Sequence, residues 1–362
     1  DAKLRFVMGH MPLYSSAQER DSRGNVLSNS EELRRLLEKN EVQTYISGHQ
    51  HAYYPARRGA LELLNTGAAG SGERSWLTIG KKPVNTVTIM DIFHERDTIV
   101  YSTYIIKEKN AADMQLFDQK ELPSAMFGVN GHMLRRDILT SGSATGNLSA
   151  FNIPGISDEK GTGTVSAKIE NDHLVISGEF SGLSSNLVKN HPVALYLGRN
   201  TETGEFLKDL KVKTRRNSGT FEGKIDISDD IREFLSIGAL YVQVNTDIKP
   251  NGALRGQLYP ENNQSPSEPQ IVSHNSRNVY GIRDLEALYV IAWDAARDED
   301  GDFVSYAYHL AKNENFEQLI FQKKTGRNTG LKMTEQEWYN LLESASEGET
   351  VRFYHRVIAT DG

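Results

Sequence analysis

From about residue 126 onward the chain consists of short runs in which apolar and polar residues alternate, punctuated by Gly, Asn and Asp, as at 164–169, 174–180, 193–197, 219–225 and 239–245. Alternation with a period of two turns one face of each run toward a core and the other toward water, which is strand behaviour. Runs of that length, evenly spaced and separated by turn residues, predict an all-β sandwich or barrel.

The N-terminal part has a different texture. Residues 4–8 form a short apolar run that stops at Gly9-His10-Met11-Pro12. It reads as a buried strand. A helix is predicted over 29–40: Ser28 and Glu31 have the spacing of a capping box, Leu33, Leu36 and Leu37 mark an apolar stripe, and Asn40 can end it. Residues 42–47 read as the next strand and run into Gly48-His49-Gln50-His51, with further strands at 60–64, 84–92 and 98–105. Strand, helix, strand, with histidine-bearing loops after strand ends, suits a layered α/β sandwich.

These textures divide the chain into 1–106, a polar linker at 107–125, a β unit at 126–260, a Pro/Ser/Asn-containing linker at 261–269 and a further β unit at 270–362. The last unit has strand-like runs at 288–293, 304–310 and 351–359, and Trp293 is its predicted core plug. The expected fold class is therefore multidomain, a partial α/β sandwich followed by two all-β sandwich-like domains.

Composition narrows the chemistry. The 362 residues carry a net charge of −7, a poor match to the basic face that phosphate backbones require, so nucleic-acid binding is not expected. No apolar run is long enough for a membrane span. The chain has no cysteine, which excludes disulfides, thiolate ligands and a cysteine nucleophile.

His10, His49 and His51 are the candidate metal ligands and catalytic residues. Each follows the end of a strand-like run, where ligand sites gather in open α/β sheets. Gly9 and Gly48 allow sharp turns beside them. The His-x-His spacing in an extended loop sends both rings to one side, where they can serve two neighbouring ions. Arg57 and Arg58 follow closely and are candidates to clamp a phosphate, with a solvated basic turn as the alternative. Tyr14, Tyr53 and Tyr54 read as packing residues. His94, His132, His173, His191, His274, His309 and His355 have no partner spacing and read as structural or exposed.

The segment Gly9-His10-Met11-Pro12-Leu13-Tyr14 resembles the His-x-Pro-x-Tyr segment of calcineurin-like phosphoesterases. Ser47-Gly48-His49-Gln50-His51-Ala52-Tyr53 resembles their Gly-His-x-His segment in its purple-acid-phosphatase form. The resemblance covers roughly 1–106. It implies a metallophosphoesterase in which His10 and His49 hold one ion, His51 holds the other, and metal-activated water attacks a phosphate ester in line. The two ions would be Fe, Zn or Mn, and the substrate a phosphate mono- or diester. The family's upstream aspartate and Gly-Asn-His segments are not in this sequence, so the expectation is that this fragment is inactive and the longer parent carries the enzyme. The glycine-rich stretch 65–72 resembles the loop that follows the family's His-x-His strand.

Residues 238–246 and 250–258, with Tyr241-Val242-Gln243-Val244, Pro250-Asn251-Gly252 and Arg255-Gly256-Gln257-Leu258, resemble the closing hairpin of the CHRD domain, and Asn251-Gly252 is its expected turn. Asn245 and Ala253 stand where that family usually has a His and an acidic residue. Residues 354–362 resemble the penultimate strand and turn of a fibronectin-type-III or immunoglobulin-like domain. The acidic run 298–302 lacks the EF-hand arrangement and reads as a turn. These resemblances imply a secreted, periplasmic or cell-surface protein with extracellular or cell-surface partners held by its β domains. The alternative is a non-catalytic exported binding or adhesion protein that keeps a relic phosphatase domain.

Overall fold

The computed structural model describes residues 3–70, 72–77, 84–106, 114–138, 142–154, 159–200, 202–261, 263–273, 286–298, 304–341 and 352–361. The chain divides into two compact units at 139/140.

In the first unit β1 (Phe6–Gly9), α1 (Ser30–Lys39), β2 (Thr44–Ser47), β3 (Tyr53–Arg58) and β4 (Leu61–Thr66) are followed by β5 (Thr86–Phe93), β6 (Thr98–Ile105), β7 (Gln115–Leu116), β8 (Ala125–Gly128) and β9 (Gly131–Arg135). Six of the strands form one mixed sheet in the order β1-β2-β4-β3-β9-β8. β1, β2 and β4 are parallel, and the remaining pairings are antiparallel. β5, β6 and β7 form a separate antiparallel sheet, which meets the larger one where the Tyr101 hydroxyl lies 2.6 Å from that of Thr44. The core of this unit holds Leu13, Tyr14, Tyr45, Tyr53, Tyr54, Leu63, Trp76 and Met126, so the three tyrosines read as packing residues are buried.

Several expectations need correction. β1 is an edge strand and its Met8 is 78% exposed, so the run at 4–8 is not a buried strand. The helix begins one residue later than predicted, and its N-cap, Asn29, makes no side-chain cap hydrogen bond. Glu31 is drawn away from the expected capping box to the Tyr14 hydroxyl and the Arg58 and Arg34 guanidiniums, because a nearly buried arginine needs a counter-charge more than a surface helix end needs a cap. Leu36 faces solvent while Leu37 is buried. The boundary expected at 126 lies instead at 139/140: β8 and β9 extend the first sheet by pairing with each other, and β9 with β3 at Ala56↔Arg135.

The second unit contains β10 (Ser143–Ser149), β11 (Thr162–Glu170), β12 (His173–Ser181), β13 (Val193–Leu197), β14 (Glu205–Asp209), β15 (Lys211–Arg215), β16 (Ser218–Asp226), α2 (Asp229–Ser236), β17 (Leu240–Thr246) and β18 (Lys249–Pro260). They form a nine-stranded antiparallel sheet ordered β14-β13-β17-β18-β10-β11-β12-β16-β15. The two edge strands are separated in sequence only by Leu210, so the sheet curls until its edges meet, close to a barrel. Leu148, Ile176, Leu195, Val242, Leu254 and Leu258 fill its interior. The turn of the closing hairpin is at Asp247 and Ile248, with Thr246 opposite Lys249. Asn251-Gly252 lies within β18, which corrects the expected turn position.

Arg255 is fully buried, stacks 3.5 Å from the Tyr241 ring centre and donates to the carbonyls of Glu202 and Arg199 and to Gln257 Oε1. Its role is to pin the 199–202 segment, and burial pulls its pKa down to about 10. Asn245 donates to the His191 carbonyl and Ala253 is fully buried, so both departures from the CHRD pattern are packing positions.

The rest of the unit contains β19 (Leu288–Ala292), β20 (Ser305–Ala311), β21 (Leu319–Gly326), β22 (Gly330–Thr334), α3 (Glu335–Leu341) and β23 (Tyr354–Thr360). β19 pairs with β22, and β20 lies between β21 and β23. These two small antiparallel sheets enclose Trp293, Tyr306, Tyr308, Leu331 and Met333, and the predicted plug residue Trp293 is in the core. The acidic run at 298–302 and His274 lie outside the described residues, apart from Asp298.

Candidate functional site

Pairing of β1 with β2 in parallel places Gly9 opposite Ser47. The chain therefore leaves two neighbouring strands at the same sheet edge, His10 from one and Gly48-His49-Gln50-His51 from the other. The loops are tied together where the Gly48 amide donates to the His10 carbonyl at 3.3 Å. Gly9 has a steric reason to be glycine, since a Cβ there would lie 2.2 Å from the Tyr45 hydroxyl, and that hydroxyl donates to the Met11 carbonyl at 2.8 Å.

His10 and His49 come together. His10 Nε2 is 3.1 Å from His49 Nδ1, with the rings nearly perpendicular at 78°. The other nitrogen of His49, Nε2, is 3.2 Å from Asn25 Oδ1 and donates to it, which leaves Nδ1 with its lone pair toward His10. His51 donates from Nδ1 to the Gly72 carbonyl at 2.8 Å, which in the neutral ring puts the lone pair on Nε2. A histidine that ligates a metal commonly donates its other N–H in this way. His49 and His51 both have positive φ, 63° and 57°. The rings are thus set by two left-handed residues, not by the extended alternation expected from the spacing. Such conformations cost of order 1 kcal/mol or more each in a non-glycine residue and cluster at functional sites.

Gln50, between them, is fully buried. Its Oε1 accepts from the Ser15 hydroxyl and from the amides of Ser16 and Ala17, and its Nε2 donates to the carbonyls of Arg20 and Asn25. Five bonds from one side chain hold the 15–25 segment against the histidine loop, which fixes Asn25 on His49. Sequence reasoning missed both residues. Gln50 carried a signal, since a residue between two outward-facing ligands must point inward. Asn25 carried none.

Burial lowers the pKa of His49, and the neighbouring His10, Arg20, His51 and Arg74 lower it further. Neutral imidazole is the ligating form. The His10–His49 pair has the spacing of two ligands to one ion: two nitrogens bound at about 2.0–2.1 Å lie about 3 Å apart, close to the 3.1 Å between His10 Nε2 and His49 Nδ1.

Arg57 and Arg58 are on β3, not in a turn. The Arg58 guanidinium pairs with Glu31 at 3.1 Å and lies against His132. It is spent on the fold. Arg57 is half-buried and pairs across the sheet with Leu134. Of the other histidines, His191 and His173 contact Asp209 and Asp226 at 2.9 and 3.0 Å, His355 meets the Tyr308 hydroxyl, and His309 is buried.

The calcineurin-like phosphoesterase family matches residues 1–53. A CHRD domain matches residues 143–258, which are β10 through nearly all of β18. No curated protein and no solved structure matches the chain. The phosphoesterase match takes in His10, His49 and His51, and that family implies metal ions and phosphate-ester substrates. The CHRD match covers the near-barrel. Neither match reaches 270–362, so a fibronectin-type-III or immunoglobulin-like assignment there has no family support. No helix among the described residues is long and apolar enough to cross a membrane.

Proposed function

We propose that His10, His49 and His51 form the histidine side of a dinuclear metal centre that hydrolyses phosphate esters. The observation that carries this reading is the 3.1 Å approach of His10 Nε2 to His49 Nδ1 at the ends of two parallel strands. In it His10 through Nε2 and His49 through Nδ1 would hold one ion, and His51 through Nε2 would hold the second. Bound Fe, Zn or Mn would supply Lewis acidity and lower the pKa of water. The chain's part is positional: Asn25 and Gly72 hold the second nitrogens of two rings, and Gln50 keeps the loops in register. The hydrogen between His10 Nε2 and His49 Nδ1 would have to pass to the other nitrogen of the His10 ring before both could ligate, and because only neutral imidazole ligates, metal uptake should strengthen as pH rises.

The CHRD-like near-barrel and the 270–362 module have a binding role in this reading, in a secreted, periplasmic or cell-surface protein. A second reading is a non-catalytic exported binding protein with a relic phosphatase segment; it is favoured by the larger span of the CHRD match.

Metal analysis and phosphate release from an aryl phosphate by the full protein decide between them. About two metal ions per chain and turnover lost by at least about 100-fold in His49→Ala and in His51→Ala are the expected results. Activity retained in both variants defeats the assignment.

A further inference from the structure

The pair first expected to clamp phosphate, Arg57 and Arg58, is built into the sheet, and two other arginines stand beside the imidazoles. Arg20 donates from its guanidinium to Asn25 Oδ1 at 2.9 Å, the same oxygen that His49 Nε2 contacts at 3.2 Å. Arg20 and His49 therefore share an acceptor. The Arg74 backbone amide donates to the His51 carbonyl at 3.3 Å, and its side-chain Nε is buried without a hydrogen-bond partner. Neither arginine has an ion-pair partner among the described residues. Of the two carboxylates adjacent to Arg20 in sequence, Glu19 and Asp21, Asp21 accepts from the Val129 amide at 2.7 Å.

We infer that Arg20 and Arg74 are the anion-binding residues of this site and that they select a phosphate monoester over a diester. The inference rests on the phosphoesterase reading above and adds the substrate class. A phosphomonoester carries close to two negative charges at pH 7 and presents three acceptor oxygens, and guanidinium forks match that geometry. A diester carries one charge and has two of its oxygens blocked by substituents. Arg20 and Arg74 both act electrostatically on His49, and guanidiniums without a carboxylate partner among the described residues complement a dianionic monoester better than a monoanionic diester.

The test is calorimetric titration of the manganese-loaded full protein with inorganic phosphate, a dianionic probe, and with dimethyl phosphate, a monoanionic one, with metal content measured on the same samples. Wild type is expected to bind phosphate at least about tenfold more tightly than dimethyl phosphate. Arg74→Met should weaken phosphate by about tenfold with metal content unchanged, and Arg74→Lys should recover part of the loss. Arg20→Met is the second variant and should act in the same direction. Equal affinity of wild type for the two probes, or phosphate binding by both Met variants within about twofold of wild type at normal metal content, overturns the arginine assignment alone. A wild type that takes up no manganese, zinc or iron removes the phosphoesterase reading and this inference with it.

Discussion

Gln50 shows what a single side chain contributes at the residue scale. It is buried, its amide is saturated, and each of its bonds goes to a segment 25–35 residues away in sequence. Leucine has nearly the same volume but satisfies none of those groups. Gln50→Leu would leave at least two backbone amides and two carbonyls without their partner in a closed space, and stability of the first unit should fall by about 3–5 kcal/mol. Chemical denaturation read through Trp76, whose indole donates to the Tyr53 carbonyl inside that unit, measures it. A loss below about 1 kcal/mol would mean that water replaces the amide. The approach of His10 to His49 was legible in the sequence, because each follows a strand and the two strands pair in parallel. Gln50 was only half legible, because its direction could be inferred from the alternation but its partners could not. Arg20, Arg74 and Asn25 were invisible, because only the path of the 15–25 and 72–77 segments brings them to His49 and His51.

At the scale of elements, β3 was the strand the sequence concealed. Its residues, Tyr-Tyr-Pro-Ala-Arg-Arg, contain a proline and two charges and show no alternation, all of which argue against an interior strand. The strand nevertheless sits between β4 and β9, because Arg58 finds its counter-charge on α1. The cluster is compact: Glu31 accepts from Tyr14 at 2.8 Å and pairs with Arg58 at 3.1 Å and Arg34 at 3.0 Å, and Arg34 reaches Glu38 at 2.8 Å. Burial alone would raise the Glu31 pKa, but the Tyr14 hydrogen bond and the two guanidiniums outweigh it and hold the carboxyl below its ordinary value. Glu31→Gln keeps the shape and removes the charge, leaving the Arg58 guanidinium nearly buried without it. Glu31 is partly exposed, so the loss is smaller than for a fully buried pair, about 1–3 kcal/mol. The same loss should follow acid titration of the wild type. A carboxyl with a depressed folded pKa gives stability that is present above its unfolded value and is lost as pH falls through the folded one. If Glu31→Gln is as stable as wild type at pH 7, helix and strand are joined by packing alone.

On the scale of the whole chain, the two textures read from the sequence do correspond to different architectures, a mixed sheet and an antiparallel near-barrel. The junction between the near-barrel and the final module could not be read, because its contacts are isolated polar residues in separate runs. Lys324 on β21 donates to the carbonyls of Ala150 and Ile153, Asn200 donates to the Ser305 hydroxyl at 3.1 Å, and Phe151 sets its ring edge-on to His309 at 6.3 Å. His309 is buried with both ring nitrogens unpartnered. Burial, with Arg356 and Lys324 nearby, depresses its pKa to about 4. The folded state therefore holds a neutral ring, whereas the unfolded chain takes up a proton from about pH 6.5 downward. Between those two values the unfolded state binds more protons, so stability falls as pH drops from about 6.5 to about 4 and is unaffected above that window. His309→Phe retains an aromatic edge against Phe151 and removes the titrating group. The denaturation midpoint of the variant should thus depend less steeply on pH than that of wild type between pH 4.5 and 6.5, with the two curves parallel between pH 7 and 8. Lys324→Met should flatten the wild-type curve in the same window by relieving one of the two repelling charges. If both variants track wild type throughout, acid sensitivity of this unit arises from its carboxylates, and the imidazole at the junction is hydrated in solution.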